Sequence, residues 1–310
     1  TRGRGASGQF QRGSPTPWVV TLAPAGGSGT HQRTVTHAEA IASRRPNRPG
    51  RPGALLVDMS SAWTAPASAA TIPLYAGSLN QLSDNSADGI INIAGAATVL
   101  DVGDRLHGIF NIESIENLSA SGTTTLSGIG KELTGIFDIT VVAKFGGPGA
   151  FTWVFAPTTS VYGNAIFGLG GLTGMAVGTA VAMWSSSTID YTRIGCATQA
   201  ACEATATNGA LWATLGFGAN SFWTASAITD NLAVIGLIPP PTPGGSYNAA
   251  LDFYINNTGY VPTKSDCLDL TTVTFKANDV CGSGSLLGKG GANSPYESFD
   301  NVDFTLRLVP

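Results

Sequence analysis

A chain of 310 residues with 43% hydrophobic side chains holds enough material for a substantial core, yet only 12% of its residues are charged, about half of the roughly 25% usual in soluble domains. Glycine, at 40 residues, is nearly twice its ordinary share of about 7%. Low charge with abundant Gly, Ser, Thr and Ala argues against a helical cytosolic enzyme and fits an extracellular β-protein rich in turns.

Charge is also unevenly placed. Residues 1–53 carry eight arginines against the single acid Glu39, whereas residues 54–310 are net −11, which together give the overall −4. A basic arm can attract nucleic acid or anionic lipid. However, "RRPNRPGRPG" (44–53) has no apolar periodicity and too little to bury, so a disordered tail, native or not, is the favoured expectation. The stretch "PGALLVDMSSAWTAPASAA" (52–70) ends in Ala67-Ser68-Ala69, which fits a small-x-small cleavage site after a short apolar run interrupted by Asp58. Residues 1–70 are therefore expected to be a disordered basic arm with a degraded export signal, and residues 71–310 a single β-sandwich domain.

The body opens on a repeat. "DRLHGIFNIESI" (104–115) and "KELTGIFDITVV" (131–142) share Leu-x-Gly-x-Phe-x-Ile with 27 residues between starts. Read as strands, Leu106, Gly108, Phe110 and Ile112 take one face, and Leu133, Gly135, Phe137 and Ile139 take the equivalent face. The glycines then make room for a bulky neighbour or mark a bulge. The opposite faces, with His107, Asn111, Glu113, Thr134 and Asp138, read as solvated.

Further strands are expected at 88–94, 97–102, 151–156, 177–184, 188–194, 210–217, 222–228, 248–256, 270–276 and 302–309, several separated by turn-rich segments such as "FGGPGA" and "CGSGSLLGKGGANS". Ten or more strands without a convincing amphipathic helix predict an all-β fold, an antiparallel β-sandwich or jelly roll. One segment competes. "AIFGLGGLTGMAVGTAVAMW" (165–184) has no charge and overlapping G-x-x-x-G spacings, as membrane helices do. Its glycines and unanchored ends favour a loop leading into a strand.

Cysteines support export. Cys196 and Cys202 lie six apart, and Cys267 and Cys281 fourteen apart, so two disulfides are expected, sequence-local pairing being the simplest of three connectivities. No C-x-x-C is present and no His lies nearby, so no metal site and no cofactor is expected.

No catalytic set emerges. There is no G-x-S-x-G elbow and no H-E-x-x-H helix. His107 is the only imidazole outside the arm, and "GSGSLLGKGG" has Ser283 and Gly290 where a phosphate loop needs Gly and a hydroxyl. "GLGGLTG" likewise misses the dinucleotide glycine spacing. Asp84, Asp88, Asp230, Asp266, Asp269, Asp279, Asp300 and Asp303 could supply a glycosidase pair or a calcium loop, but their spacing selects neither. Trp212, Phe217, Phe222 and Trp223 fall within twelve residues around a Gly/Asn turn. Exposed, their rings would stack on sugars; packed, they are core.

"DVGDRLHGIFNIESIEN", "KELTGIFDITVV", "VAMWSSSTIDYTRIG", "GALWATLGFGANSFWTASA" and "SFDNVDFTLRLVP" together resemble secreted bacterial proteins with a PEP-CTERM sorting signal, over roughly 75–310. The resemblance lies in strand cadence and segment order. It implies a β-rich ectodomain followed by Pro-Glu-Pro, a membrane span and an Arg cluster, the substrate of an exosortase in Gram-negative bacteria that make exopolysaccharide. The sequence stops at Val309-Pro310, where that motif would begin. The expectation is an exported, non-enzymatic protein of the cell surface or biofilm matrix, meeting exopolysaccharide and no nucleic acid, and touching a membrane only through a sorting segment. A carbohydrate-binding module and a secreted glycoside hydrolase are the alternatives.

Overall fold

The computed structural model describes residues 71–91, 99–164, 166–235, 244–269, 271–287 and 295–310. The expected arm and export signal lie outside these residues. The first half of the body supplies β1 (Leu79–Ile91), β2 (Arg105–Asn117), β3 (Thr123–Thr125), β4 (Glu132–Gly147), β5 (Ala150–Pro157), α1 (Thr158–Tyr162) and β6 (Thr179–Ser186). The second supplies α2 (Gln199–Ala206), β7 (Ala210–Gly216), β8 (Phe222–Ala227), α3 (Leu232–Ile235), β9 (Gly245–Asn256), β10 (Pro262–Thr263), β11 (Ser265–Asp269), β12 (Thr274–Asn278), β13 (Val280–Leu287) and β14 (Ser298–Leu308).

The fold is all-β and sandwich-like, as the alternation predicts, and every pairing among the described residues is antiparallel. The main sheet runs β3-β2-β1-β14-β13-β9-β7-β6-β4-β5-β8, and additional β2–β4 and β8–β9 pairings close it on itself. Closure is made by the two long strands. β4 meets β6 with its first half and β5 with its second, while β9 meets β8 and then β7. Closing a sheet removes edges that would otherwise template aggregation.

The enclosed core is aromatic. Phe110 lies 5.8 Å from Phe304, and Trp223 lies 5.7 Å from Phe137 and 6.3 Å from Tyr247. Trp153 is buried beside Phe151, and its indole N–H donates to the Leu100 carbonyl at 3.0 Å, so the ring enters the core without an unpaired donor.

The repeat is explained by its own pairing. β2 and β4 are antiparallel neighbours whose register sets Leu106 opposite Ile139, Gly108 opposite Phe137, Phe110 opposite Gly135, and Asn111 opposite Thr134. Each phenylalanine thus lies over the other strand's glycine. A Cβ on Gly108 would collide with the Phe137 ring, and one on Gly135 with the Phe110 ring and, at 2.6 Å, the Ala182 carbonyl oxygen.

Several expectations are corrected. Residues 188–194 form no strand; their backbone is held by side chains, Glu132 accepting from Asp190 and Tyr191 and Thr205 from Thr192. The segment 270–276 straddles a turn, with β11 and β12 as a separate hairpin on either side. Residues 99–102 make only an isolated bridge, Val99 to Asn231. The "CGSGSLL" stretch, read as turn-rich, is the sheet strand β13, whose Gly284 leaves space for the Tyr247 hydroxyl end. The glycine-rich half of 165–184 is irregular and leads into β6, and no helix among the described residues is long and apolar enough to cross a membrane.

Candidate functional sites

The aromatic segment does not offer a stacking platform. Alternation along β8 points Trp223, Ala225 and Ala227 into the core, and Trp212 enters the same core from β7. Trp212 is 2% and Trp223 4% exposed, while Phe217 and Phe222 are half-buried. The two indoles therefore present no face to a sugar. The cysteines pair as the sequence-local connectivity has it, Cys196–Cys202 and Cys267–Cys281. The first bridge anchors α2, whose N-terminus is capped by the Thr198 hydroxyl accepting from Ala201 N–H. The second ties the β11–β12 hairpin to β13.

The largest departure concerns the face of β2 and β4 read as solvated. It is buried under a second layer made by residues 166–178, α2 and Tyr296, with its own apolar cluster of Ile109, Ile136, Phe167, Ala182, Trp184 and Ala206. Sealed beneath are Arg105, His107, Asp138 and Glu203, of which Arg105, at 8%, is the most exposed. Asp138 accepts from Arg105 Nε, at 3.0 Å, and Nη2, and from the Thr158 hydroxyl and the Gly168 N–H, each at 2.7 Å. Glu203 accepts from Leu169 N–H at 2.8 Å and Gly170 N–H at 3.1 Å. His107 sits between the two acids, Nδ1 3.6 Å from Asp138 and Nε2 3.8 Å from Glu203, at ion-pair rather than hydrogen-bond distance.

These contacts give the "GLGG" motif a physical role. Consecutive backbone N–H groups of a glycine-rich turn form a concave anion cradle. Here the anions are the protein's own carboxylates. Gly168 adopts φ +71°, and a Cβ there would strike Glu203. Burial pushes the Asp138 carboxyl up, but His107 and the Arg105 guanidinium outweigh it and hold it below the usual range. Burial, with the Glu203, Asp88 and Glu297 charges, drives the Tyr296 phenol well above its ordinary value. Closed to solvent and held by hydrogen bonds from Arg105, Thr158 and the 168–170 backbone, the cluster fastens one layer to the other. A polar residue on an amphipathic strand signals water only when nothing packs over it, and that cover comes from residues far along the chain.

The loop acids are largely engaged. Asp230 and Asp101 hold Lys144 at 2.8 and 2.6 Å, and Asp279 and Asp252 hold Lys264 at 3.1 and 2.7 Å. Asp269 accepts from Thr271 and Thr272 within the hairpin turn. Asp84 and Asp88 are buried, Asp266 is exposed and Asp303 half-exposed, while the Asp300 side chain lies outside the described residues. No group of three or more His, Cys, Asp or Glu is placed to hold a metal ion among the described residues.

On the outside of β5, β8, β9, β13 and β14, the registers align Thr152, Ser226, Ser246, Ser285 and Asn301 in one rung. The next rung brings together Asn248, Ser283 and Asp303, with Thr224 buried at its end. This is a broad face of small hydroxyls and amides carrying a single charge.

The class defined by these features is an antiparallel, disulfide-bonded β-sandwich with one layer sealed by a charged, helix-bearing cover. No protein-family model and no curated protein matches the chain.

Proposed function

We propose that the chain is an exported, non-enzymatic β-sandwich of the bacterial cell surface or extracellular matrix. The observation that carries this is that all four cysteines are bonded and none is free. Such bridges persist in oxidising compartments and are rare where thiols are kept reduced. The resemblance to proteins with a PEP-CTERM sorting signal supports the same address. Association with exopolysaccharide draws support from the two outer rungs, where uncharged hydroxyls and amides can exchange hydrogen bonds with a polymer of the same chemistry. The route through Trp212 and Trp223 is set aside, because those rings build the core.

The test is to block free thiols in producing cells before lysis, fractionate them, and follow the bridged peptides by mass spectrometry. Both bridges intact in the surface or medium fraction is the expected result. A reduced protein confined to the cytoplasm overturns the proposal.

A further inference from the structure

The first outer rung continues one strand beyond its hydroxyls. Phe145 of β4 pairs with Thr152, so a phenyl ring, Thr152, Ser226 and Ser246 stand in line on β4, β5, β8 and β9. Directly opposed residues of an antiparallel ladder share a face, and the Thr152 and Ser226 hydroxyl oxygens lie 3.2 Å apart. Two depressions flank this line, of about 420 and 90 Å³, and Thr152, Ser226 and Ser246 line both. The larger adds the exposed Ile228, and the smaller adds Asn248 and reaches Thr271 in the β11–β12 turn.

Phe145 is the informative residue. It is 58% exposed, so its ring forgoes most of the burial that such a side chain can supply. No charged side chain stands in line with it. Lys144, next in the chain, points to the opposite face and is held there by Asp101 and Asp230. An ionic ligand would therefore find no counter-charge along the line. A neutral sugar matches it, with hydroxyls to exchange with Thr152, Ser226 and Ser246 and an apolar C–H face to rest on the ring. Neighbouring strands lie about 4.8 Å apart, so Phe145 to Ser246 spans roughly 14 Å, more than one sugar covers. Phe275 supplies the contrast. It is 69% exposed, but it stands on the separate hairpin opposite Leu268, not beside a hydroxyl.

We propose that a neutral polysaccharide chain lies along this line, across the strands, with one sugar ring stacked on Phe145 and the following units hydrogen-bonded to Thr152, Ser226 and Ser246. This rests on the proposed association of the outer rungs with exopolysaccharide and names the residues that hold the polymer. No bond is made or broken in the site.

The test is affinity electrophoresis of the whole chain in native gels cast with pullulan, galactomannan or hydroxyethylcellulose, and with alginate as the anionic counterpart, each mobility taken relative to a polymer-free gel. At least one neutral polymer is expected to retard the chain, and alginate is not. Phe145→Ala is expected to weaken binding about ten-fold, the scale of losing one aromatic contact, and Phe145→Tyr to preserve it. Ser226→Lys, at an exposed position in the middle of the line, should block binding and decides the matter if Phe145→Ala fails to fold. Phe275→Ala should bind as the parent does. The proposal is overturned if alginate retards the chain as strongly as the neutral polymers, if Ser226→Lys or a folded Phe145→Ala binds as the parent does, or if Phe275→Ala weakens binding as much as Phe145→Ala. Retardation that survives both line variants leaves the exopolysaccharide association standing without this line, whereas no retardation by any polymer removes both. The compartment assignment rests on thiol state and fraction and is decided separately.

Discussion

The two faces of the β2–β4 ladder are built from the same residues' backbones and solve opposite problems. Inward, Leu106, Gly108, Phe110 and Ile112 meet Ile139, Phe137, Gly135 and Leu133, and cohesion comes from shape, each ring filling the space the opposing glycine leaves. Outward, His107 and Arg105 lie across from Asp138 and Thr140, and cohesion comes from charge and from hydrogen bonds to a covering loop. The inner face depends on two residues that contribute no side chain. The outer face depends on one carboxylate that four donors share. A shape-matched contact fails gradually as volume is added, whereas a shared buried charge fails at once when its partner is removed.

Asp138→Ala is accordingly the largest break. It strips Arg105 of its partner in a buried site and frees the Thr158 hydroxyl and the Gly168 N–H together. A loss of about 3–5 kcal/mol in urea unfolding is expected, the range for leaving one member of a buried ion pair uncompensated. Hydrogen exchange should rise most in residues 166–178 and α2 and least in β8 and β9. Uniform exchange across both layers would show that the cluster does not fasten the cover.

The inner face is broken by adding one methyl. Gly135→Ala meets the Ala182 backbone carbonyl, which cannot swing away, so about 1–3 kcal/mol is expected for overpacking. Gly108→Ala meets mainly the Phe137 ring and an Asp88 oxygen, both side-chain atoms, and should cost less. Combining Gly108→Ala with Phe137→Leu should recover part of the loss, because the colliding ring atoms are gone. Equal costs for the two alanines, or strict additivity in the double variant, would refute the reciprocal packing.

The same contrast governs what could be read from the sequence. The inner face was legible because a strand's period-two pattern is local: Leu106 to Ile112 and Trp223 to Ala227 declare their core side within a few residues. The bridges were legible because their spacing is short. The cover was not. Its parts, residues 166–178 and 199–206, have no strong periodicity of their own and are fixed by long-range contacts such as Thr134 to Ala206 and Asp138 to Gly168. His107 therefore reads from the sequence as solvated although the structure seals it, whereas Trp212 and Trp223, for which core packing is the stronger expectation, do lie in the core. Glycine misled in the same way at β13, where Gly282 and Gly284 are sheet positions kept small for the Phe304 and Tyr247 rings. The burial of Glu132 has no local signal at all, since the Asp190 and Tyr191 N–H groups that hold it lie far along the chain.

Acid titration sharpens the comparison most finely, because β4 carries one carboxylate of each kind. Asp138 is held below its ordinary value of 3.8, so the folded state prefers it ionised. Its stabilising contribution is complete above that value and is lost as pH falls through the lower folded value. Glu132 is the reverse. Burial, aided by the Asp190 charge and opposed by the two N–H groups of Asp190 and Tyr191, raises it above 4.5, so the folded state prefers it protonated. Its contribution is complete below 4.5 and declines as pH rises through the window up to the higher folded value. Urea midpoints measured across the acid range should therefore lose a falling limb at low pH in Asp138→Asn. In Glu132→Gln, the decline above 4.5 should flatten while the low-pH limb stays. If Glu132→Gln alters the low-pH limb and leaves the upper window unchanged, the two carboxylates have been assigned the wrong way round, and the contrast between the Arg105-paired Asp138 and the amide-held Glu132 falls with them.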